Sequence, residues 1–246
     1  GVSDSELIKI AVKSMGLDEL YPFDPGEKII EYQLKDKDEK NLAELTVQGF
    51  MEETASESPA PGGGSVSACM GALGTALATM VANLSSHKRG WDERWKEFSD
   101  WADQGKSIQE ELLLLVDEDT RAFNGIITAF RMPKGTPGEQ QERDRAIREA
   151  TVEAIRVPFR VMNTAFRGYE VAEAMVKQGN PGSVTDAGVG AIALHAAIQG
   201  SWLNVQINAA DVKQLPEVRE MLTSGARLVD RSLETKERIM GLIHLE

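Results

Sequence analysis

Two segments constrain the fold more than any other feature of the chain. Residues 66–84 (VSACMGALGTALATMVANL) and 184–210 (VTDAGVGAIALHAAIQGSWLNVQINAA) are apolar nearly all round and rich in Ala, Gly and Ser. A helix that is hydrophobic on every side sits at the centre of a bundle or crosses a membrane. Small-xxx-small spacing such as Ala68/Ala72 suits either setting. Polar interruptions separate them: Ser67, Thr75, Thr79 and Asn83 in the first run, Thr185, Asp186, His195, Gln199, Asn204 and Gln206 in the second. That many interior polar groups are expensive in hydrocarbon, so two central helices of a bundle are expected, with no membrane as partner.

The rest of the chain reads as helices around that pair. Residues 4–15 form a short helix with Asp4 as cap, and KIIEYQL (28–34) has the β-branched and aromatic content of a strand. A lone strand cannot stabilise itself, so it reads as the edge of a neighbour whose other strands are absent. KDKDEKN (35–41) is a solvated linker. Helices are expected at 41–56, 66–84, 92–101, 107–130, 143–178 with a kink at Pro158, 184–210 and 216–243. The expected fold is an all-α, up-and-down helical bundle with two central small-residue-rich helices and a short N-terminal α/β tail. The expected division is 1–41 for the tail and linker and 42–246 for the helical domain.

Charge limits the partners. The chain has 27 Lys+Arg against 39 Asp+Glu, a net −12, which argues against nucleic acid because phosphate binding is driven by Lys and Arg. The single cysteine, Cys69, can form neither an internal disulfide nor a Cys-rich zinc site. No basic segment followed by an apolar run opens the sequence, so the expectation is a cytoplasmic protein.

Asp119 is the most informative polar residue. The apolar stripe of 107–130 runs through Ile108, Leu112, Leu115/Val116, Ala122/Phe123, Ile126 and Phe130, and position 119 falls inside it. A carboxyl facing a core must be paired, hydrogen-bonded or protonated, and burial raises its pKa toward the range of a general acid/base. A structural Asp satisfied by a neighbouring helix is the alternative. Asp117 and Glu118 point away from the stripe and read as solvated.

SPAPGGGS (58–65) is the second feature. Glycines at 62, 63 and 64 leave bare backbone N–H groups at a helix start, a setting for an anion or a developing negative charge. A tight loop with Ser65 as N-cap is the plainer reading. The segment is neither a P-loop nor GxGxxG. Ser183-Val-Thr-Asp186 has the form of a capping box, or else Asp186 faces the same cavity as Asp119 and the two carboxyls divide acid and base roles. His195 reads as a hydrogen-bonded core histidine. His87-Lys88-Arg89 and Lys134 either complement helix dipoles or hold an acidic ligand tail. No metal-ligand spacing and no nucleophilic triad occurs, so no metal is expected.

Several of these stretches together resemble the cyclodeaminase domain of the formimidoyltransferase-cyclodeaminase family: SPAPGGGSVSA (58–68), LVDEDTRAF (115–123), RMPKGTP (131–137), Val157-Pro158, GNPGSVTDAG (179–188) and NVQIN (204–208). The resemblance covers about residue 42 to the C-terminus. MGLDELYPFDPGEKIIEYQL (15–34) resembles the end of the family's formimidoyltransferase part, which would account for the orphan strand. The resemblance implies ring closure of 5-formimidoyltetrahydrofolate to 5,10-methenyltetrahydrofolate with release of ammonia, in one-carbon metabolism linked to histidine degradation. It implies a tetrahydrofolate derivative as substrate, with or without a polyglutamate tail, no prosthetic group, a homodimer, and a formimidoyltransferase domain as partner in the full-length enzyme.

Residue by residue, Asp119 matches the family's catalytic acid and Asp186 an acidic position after GNPG. Gly62, Gly63, Gly64 and Ser65 match its Gly-rich motif, and Lys88 and Arg89 its basic pair, suited to glutamate carboxylates. Lys134 and Asn204, in the matching RMPKGTP and NVQIN stretches, complete the substrate-binding candidates. The alternatives are a methenyltetrahydrofolate cyclohydrolase, since members carrying this domain have that activity, and a non-catalytic helical dimerisation scaffold.

Overall fold

The computed structural model describes residues 4–19, 21, 23–29, 41–58 and 60–244. The helices are α1 (Asp4–Ser14), α2 (Pro25–Lys28), α3 (Val47–Thr54), α4 (Gly63–Ser86), α5 (Trp95–Phe130), α6 (Pro137–Gln178), α7 (Val184–Asn208) and α8 (Pro216–Met240). Single 3-10 turns at Leu42–Glu44, Asp92–Arg94 and Pro181–Ser183 join them. No strand occurs among the described residues. Of the strand expected at 28–34, Lys28 instead closes α2, and all but Lys28 and Ile29 lie outside the described residues, as does the linker except Asn41.

The two apolar segments do pack as a central pair. α4 and α7 run antiparallel, with Gly63 beside Asn204, Gly71 beside Ala197 and Gly74 beside Ala193. A Cβ on Gly74 would lie 2.8 Å from the Gly190 carbonyl oxygen, and one on Gly190 would lie 2.7 Å from that of Gly74. Backbone therefore meets backbone, which only glycine on both helices permits. α6 packs behind the pair, α5 flanks α4, and α8 flanks α7. Phe98, Ile108, Leu112, Leu115, Ile155, Met162, Leu194 and Ile198 fill the interior. α4 is the one described helix long and apolar enough to span a membrane, and its apolar window is mostly buried against its neighbours.

Several boundaries differ from expectation, each for a local reason. Residues 95–101 and 107–130 belong to one continuous α5, with the 3-10 turn 92–94 before it. Gly105 does not end it, because Thr79 fills the space where a side chain would be, its Oγ1 only 2.2 Å from an added Cβ. α6 starts at Pro137 rather than 143, since Thr136 and Glu139 form a capping box with proline in the first turn. Helix 41–56 divides at Leu45, and Thr46 caps α3 by accepting from the Gly49 N–H at 3.0 Å. α4 begins at Gly63, so the glycines form its first turn.

Pro158 lies inside α6 without ending it. Proline cannot donate to the carbonyl of Ala154, four residues earlier. The Asn208 amide of α7 donates to that oxygen instead, at 2.8 Å, so a neighbouring helix repairs the ladder.

Candidate active site

Asp119 sits where α5 crosses the first turn of α4. Gly62 is the N-cap of α4 and has no side chain with which to satisfy the turn's free amides. Asp119 supplies the missing group from the neighbouring helix. Its Oδ2 accepts the Ser65 hydroxyl at 3.0 Å, and its carboxyl also accepts the Ser65 backbone N–H. An added Cβ on Gly64 would lie 2.1 Å from Asp119 Oδ1, so the carboxyl rests directly on the bare backbone there. Burial pushes the Asp119 pKa above the ordinary aspartate range, and the two bonds from Ser65 act in the opposite direction. Ser65 is therefore not the N-cap: it is fully buried and holds the acid.

A cavity of about 470 Å³ opens beside this contact, lined by Leu42, Leu45, Gly49, Glu52, Glu53, Ser58, Ala60, Thr120 and Asn124. That volume lies within the range of small-molecule sites, about 300–1,000 Å³. Thr120 links cavity and acid, its Oγ1 lying 3.3 Å from Ser65 Oγ. Sequence reasoning did not single out Thr120, and nothing but its place next to Asp119 marks it. Asn204 also joins the site: its amide is 3.1 Å from where a Gly63 Cβ would stand, and it donates to the Gly200 carbonyl at 2.9 Å.

The other candidates lie elsewhere in the chain. Asp186 is in the first turn of α7 while Asn204 is in the last, so some 18 residues, about 27 Å of helix, separate them. Within one chain Asp186 does not share a cavity with Asp119. Nor does Ser183 make the side-chain bond of a capping box. Lys88 and Arg89 follow the C-terminus of α4, about 36 Å along it from Gly63. Lys88 Nζ lies over the Trp91 ring, 4.2 Å from its centroid. Lys134 is exposed in the loop after α5, whose end at Phe130 is about 17 Å beyond Asp119.

The neighbours of Asp119 also correct the sequence reading. Asp117 is half-buried rather than solvated: it accepts the Leu42 N–H at 2.6 Å, and burial raises its pKa. Glu118 pairs with Arg160. Phe123 and Phe130, placed on the core stripe, are 40% and 55% exposed because α5 outruns the central pair. His195 is hydrogen-bonded, with Nδ1 2.9 Å from Ser232 Oγ, which is in turn 2.9 Å from the Tyr169 hydroxyl. Burial lowers the His195 pKa and pushes that of Tyr169 up to about 12. Among the described residues no three His, Cys, Asp or Glu side chains come together as a metal site.

The all-α bundle thus seats a desolvated carboxyl on the first turn of its central helix, beside a ligand-sized cavity. Residues 46–226 match the family model described as formiminotransferase-cyclodeaminase, and residues 1–35 match that of the formiminotransferase domain. The chain belongs to the formiminotransferase-cyclodeaminase family. The mouse formimidoyltransferase-cyclodeaminase is 35% identical over 86% of this chain and 39% of its own length. A methenyltetrahydrofolate cyclohydrolase of Methylorubrum extorquens is 29% identical over 77% of this chain and 95% of its own. The crystal structure of formiminotetrahydrofolate cyclodeaminase from Thermotoga maritima superposes with TM-score 0.66 at 25% identity, over 80% of this chain and 96% of that one. The chain spans about two-fifths of the length of the bifunctional relatives.

Proposed function

We propose that the chain is a formimidoyltetrahydrofolate cyclodeaminase, closing 5-formimidoyltetrahydrofolate to 5,10-methenyltetrahydrofolate with release of ammonia. The observation that carries the reading is the half-buried Asp119, held by Ser65, whose hydroxyl lies 3.3 Å from that of Thr120 in the cavity wall. N10 of the folate attacks the formimidoyl carbon and forms a tetrahedral adduct bonded to N5, N10 and the amino nitrogen. The Asp119 carboxylate takes the N10 proton and, now an acid, gives it to the amino nitrogen. The carbon–nitrogen bond breaks, ammonia leaves with the bonding pair, and the methenyl bridge remains. One carboxyl serving both steps needs a pKa nearer neutrality than a solvated aspartate, which burial favours.

The cyclohydrolase reading has one observation in its favour, the Methylorubrum relative matched over nearly its whole length. There Asp119 would activate water to open the methenyl ring. The match of residues 1–35 to a formiminotransferase domain favours the deaminase, because that domain supplies the formimidoyl substrate. A dimerisation scaffold without chemistry would use the Ser65–Asp119 contact only to cap the first turn of α4. In this reading the protein is a cytoplasmic homodimer joined in its full-length form to a formimidoyltransferase domain, and takes folates with acidic tails. The test is to supply formimidoyltetrahydrofolate and methenyltetrahydrofolate separately, following methenyl absorbance and ammonia. Ammonia release with methenyl formation supports the deaminase. Loss of methenyl absorbance without ammonia release moves the assignment to the cyclohydrolase, and inactivity on both leaves the scaffold.

A further inference from the structure

The cavity beside Asp119 carries charge of one sign. Among its described lining residues only Glu52 and Glu53 are charged, and both belong to α3. Gly49 lies three residues before Glu52 and four before Glu53, so the three share one face of that helix. The two glutamates differ in what holds them. Glu52 is exposed, and its Oε1 accepts the Gln48 amide at 2.7 Å. Glu53 is half-buried. The Ser56 hydroxyl donates to its backbone carbonyl at 2.8 Å, while its carboxylate has no partner among the described residues. A helical side chain leans back over the turn before it, which puts Glu53 above Gly49, where no side chain crowds it. The helix that carries Glu53 is also fixed in place. The buried Leu42 at its N-terminal side gives its N–H to Asp117 at 2.6 Å, and Phe50 packs against the core.

A cleft lined by negative charge repels anions and collects cations. The bare first turn of α4, which could otherwise hold an anion, already carries the Asp119 carboxyl. The part of a ligand that enters here is therefore cationic. In the folate reading that part is the one-carbon unit. A formimidoyl group is an amidine and is protonated at neutral pH. Its charge sits on the amidinium before N10 attacks, and on the methenyl bridge once ammonia has left.

We propose that Glu53 is a specificity-determining residue, holding the positively charged one-carbon unit and selecting amidinium and methenyl folates over neutral ones. This rests on the folate reading above, and applies to ring closure and ring opening alike, because the methenyl end is charged in both. The charge is the same before and after the chemistry, so Glu53 holds substrate and product equally. Its loss shows in KM and not in kcat.

The test compares two ligands of nearly the same shape. 5-Formimidoyltetrahydrofolate ends in a charged nitrogen where 5-formyltetrahydrofolate ends in a neutral oxygen. Their affinities are measured by calorimetry on the Asp119→Asn chain, to prevent turnover, with and without Glu53→Gln. Glu53→Gln should weaken the formimidoyl ligand about 10-fold or more, as loss of a contact to a charged group requires, and leave the formyl ligand within about 2-fold. With Asp119 intact, Glu53→Gln should raise KM by the same factor with kcat nearly unchanged, and Glu53→Asp should recover part of the loss. Equal weakening of both ligands means a structural role and overturns the proposal, as does no change in either. Binding is read without turnover, so a chain that discriminates the ligands through Glu53 yet releases no ammonia supports the proposal and refutes the deaminase reading alone. A chain that binds neither ligand overturns both.

Discussion

Replacing Gly64 by alanine tests whether the Asp119 carboxyl is held by bare backbone. The new Cβ would stand 2.1 Å from Asp119 Oδ1, against a floor of about 3.0 Å for real Cβ contacts, so the carboxyl must retreat by about 1 Å. What moves is the end of one side chain, not backbone, so little of the fold is disturbed. Alanine in place of glycine in a helix gains up to about 1 kcal/mol, which offsets a weakened bond from Ser65. The melting temperature should therefore stay within about 4 °C of wild type. Catalysis should not: a misplacement of about 1 Å costs on the order of 100-fold in rate. The assay is methenyl absorbance with ammonia release, alongside thermal melting of the same sample. A Gly64→Ala chain of wild-type kcat would show that the acid is not positioned this way. One that fails to fold would show that Gly64 serves packing instead.

Four further outcomes follow from the same geometry. Because burial raises the Asp119 pKa, the folded chain keeps this proton where the unfolded chain has lost it, so stability falls as pH rises through that interval. Asp119→Asn should thus melt above wild type at neutral pH, with the advantage shrinking in acid, and wild-type kcat should fall as pH drops through the raised value. Asn208→Ala leaves the Ala154 carbonyl without a donor and should cost about 1–3 kcal/mol in denaturant titrations. The loss should be smaller in a Pro158→Ala background, where position 158 regains an N–H. Gly74→Ala forces a Cβ to 2.8 Å from the Gly190 carbonyl oxygen, and since backbone must yield, a loss of about 1–3 kcal/mol or more is expected.

The parts of the fold legible in the sequence were those written in local periodicity. The all-round apolar character of α4 and α7 marked the central pair, and a stripe of 3.6-residue period put Asp119 on the inner side of α5. What the sequence did not reveal depends on contacts between distant residues. Ser65 reads as a cap from its neighbours alone; only the crossing of α5, 54 residues later, makes it the donor to Asp119. The expected gap between 101 and 107 closes where Thr79 occupies the space at Gly105, and the Ala154 carbonyl that Pro158 leaves without a donor finds one in Asn208, 54 residues away. The separation of Lys88 and Asp186 from Asp119 was within reach. A helix rises about 1.5 Å per residue, so the length of the apolar runs already set the two ends of the bundle far apart.

The central claim is that Asp119 moves the proton in ring closure. The direct measurement is single-turnover ammonia release from formimidoyltetrahydrofolate by wild type and by Asp119→Asn, each with its circular dichroism and melting curve. Loss of an acid/base group costs about 100- to 10,000-fold, so the variant should fold as wild type, bind substrate, and release ammonia at least about 100-fold more slowly. Wild-type ammonia release by a folded Asp119→Asn chain would contradict the account.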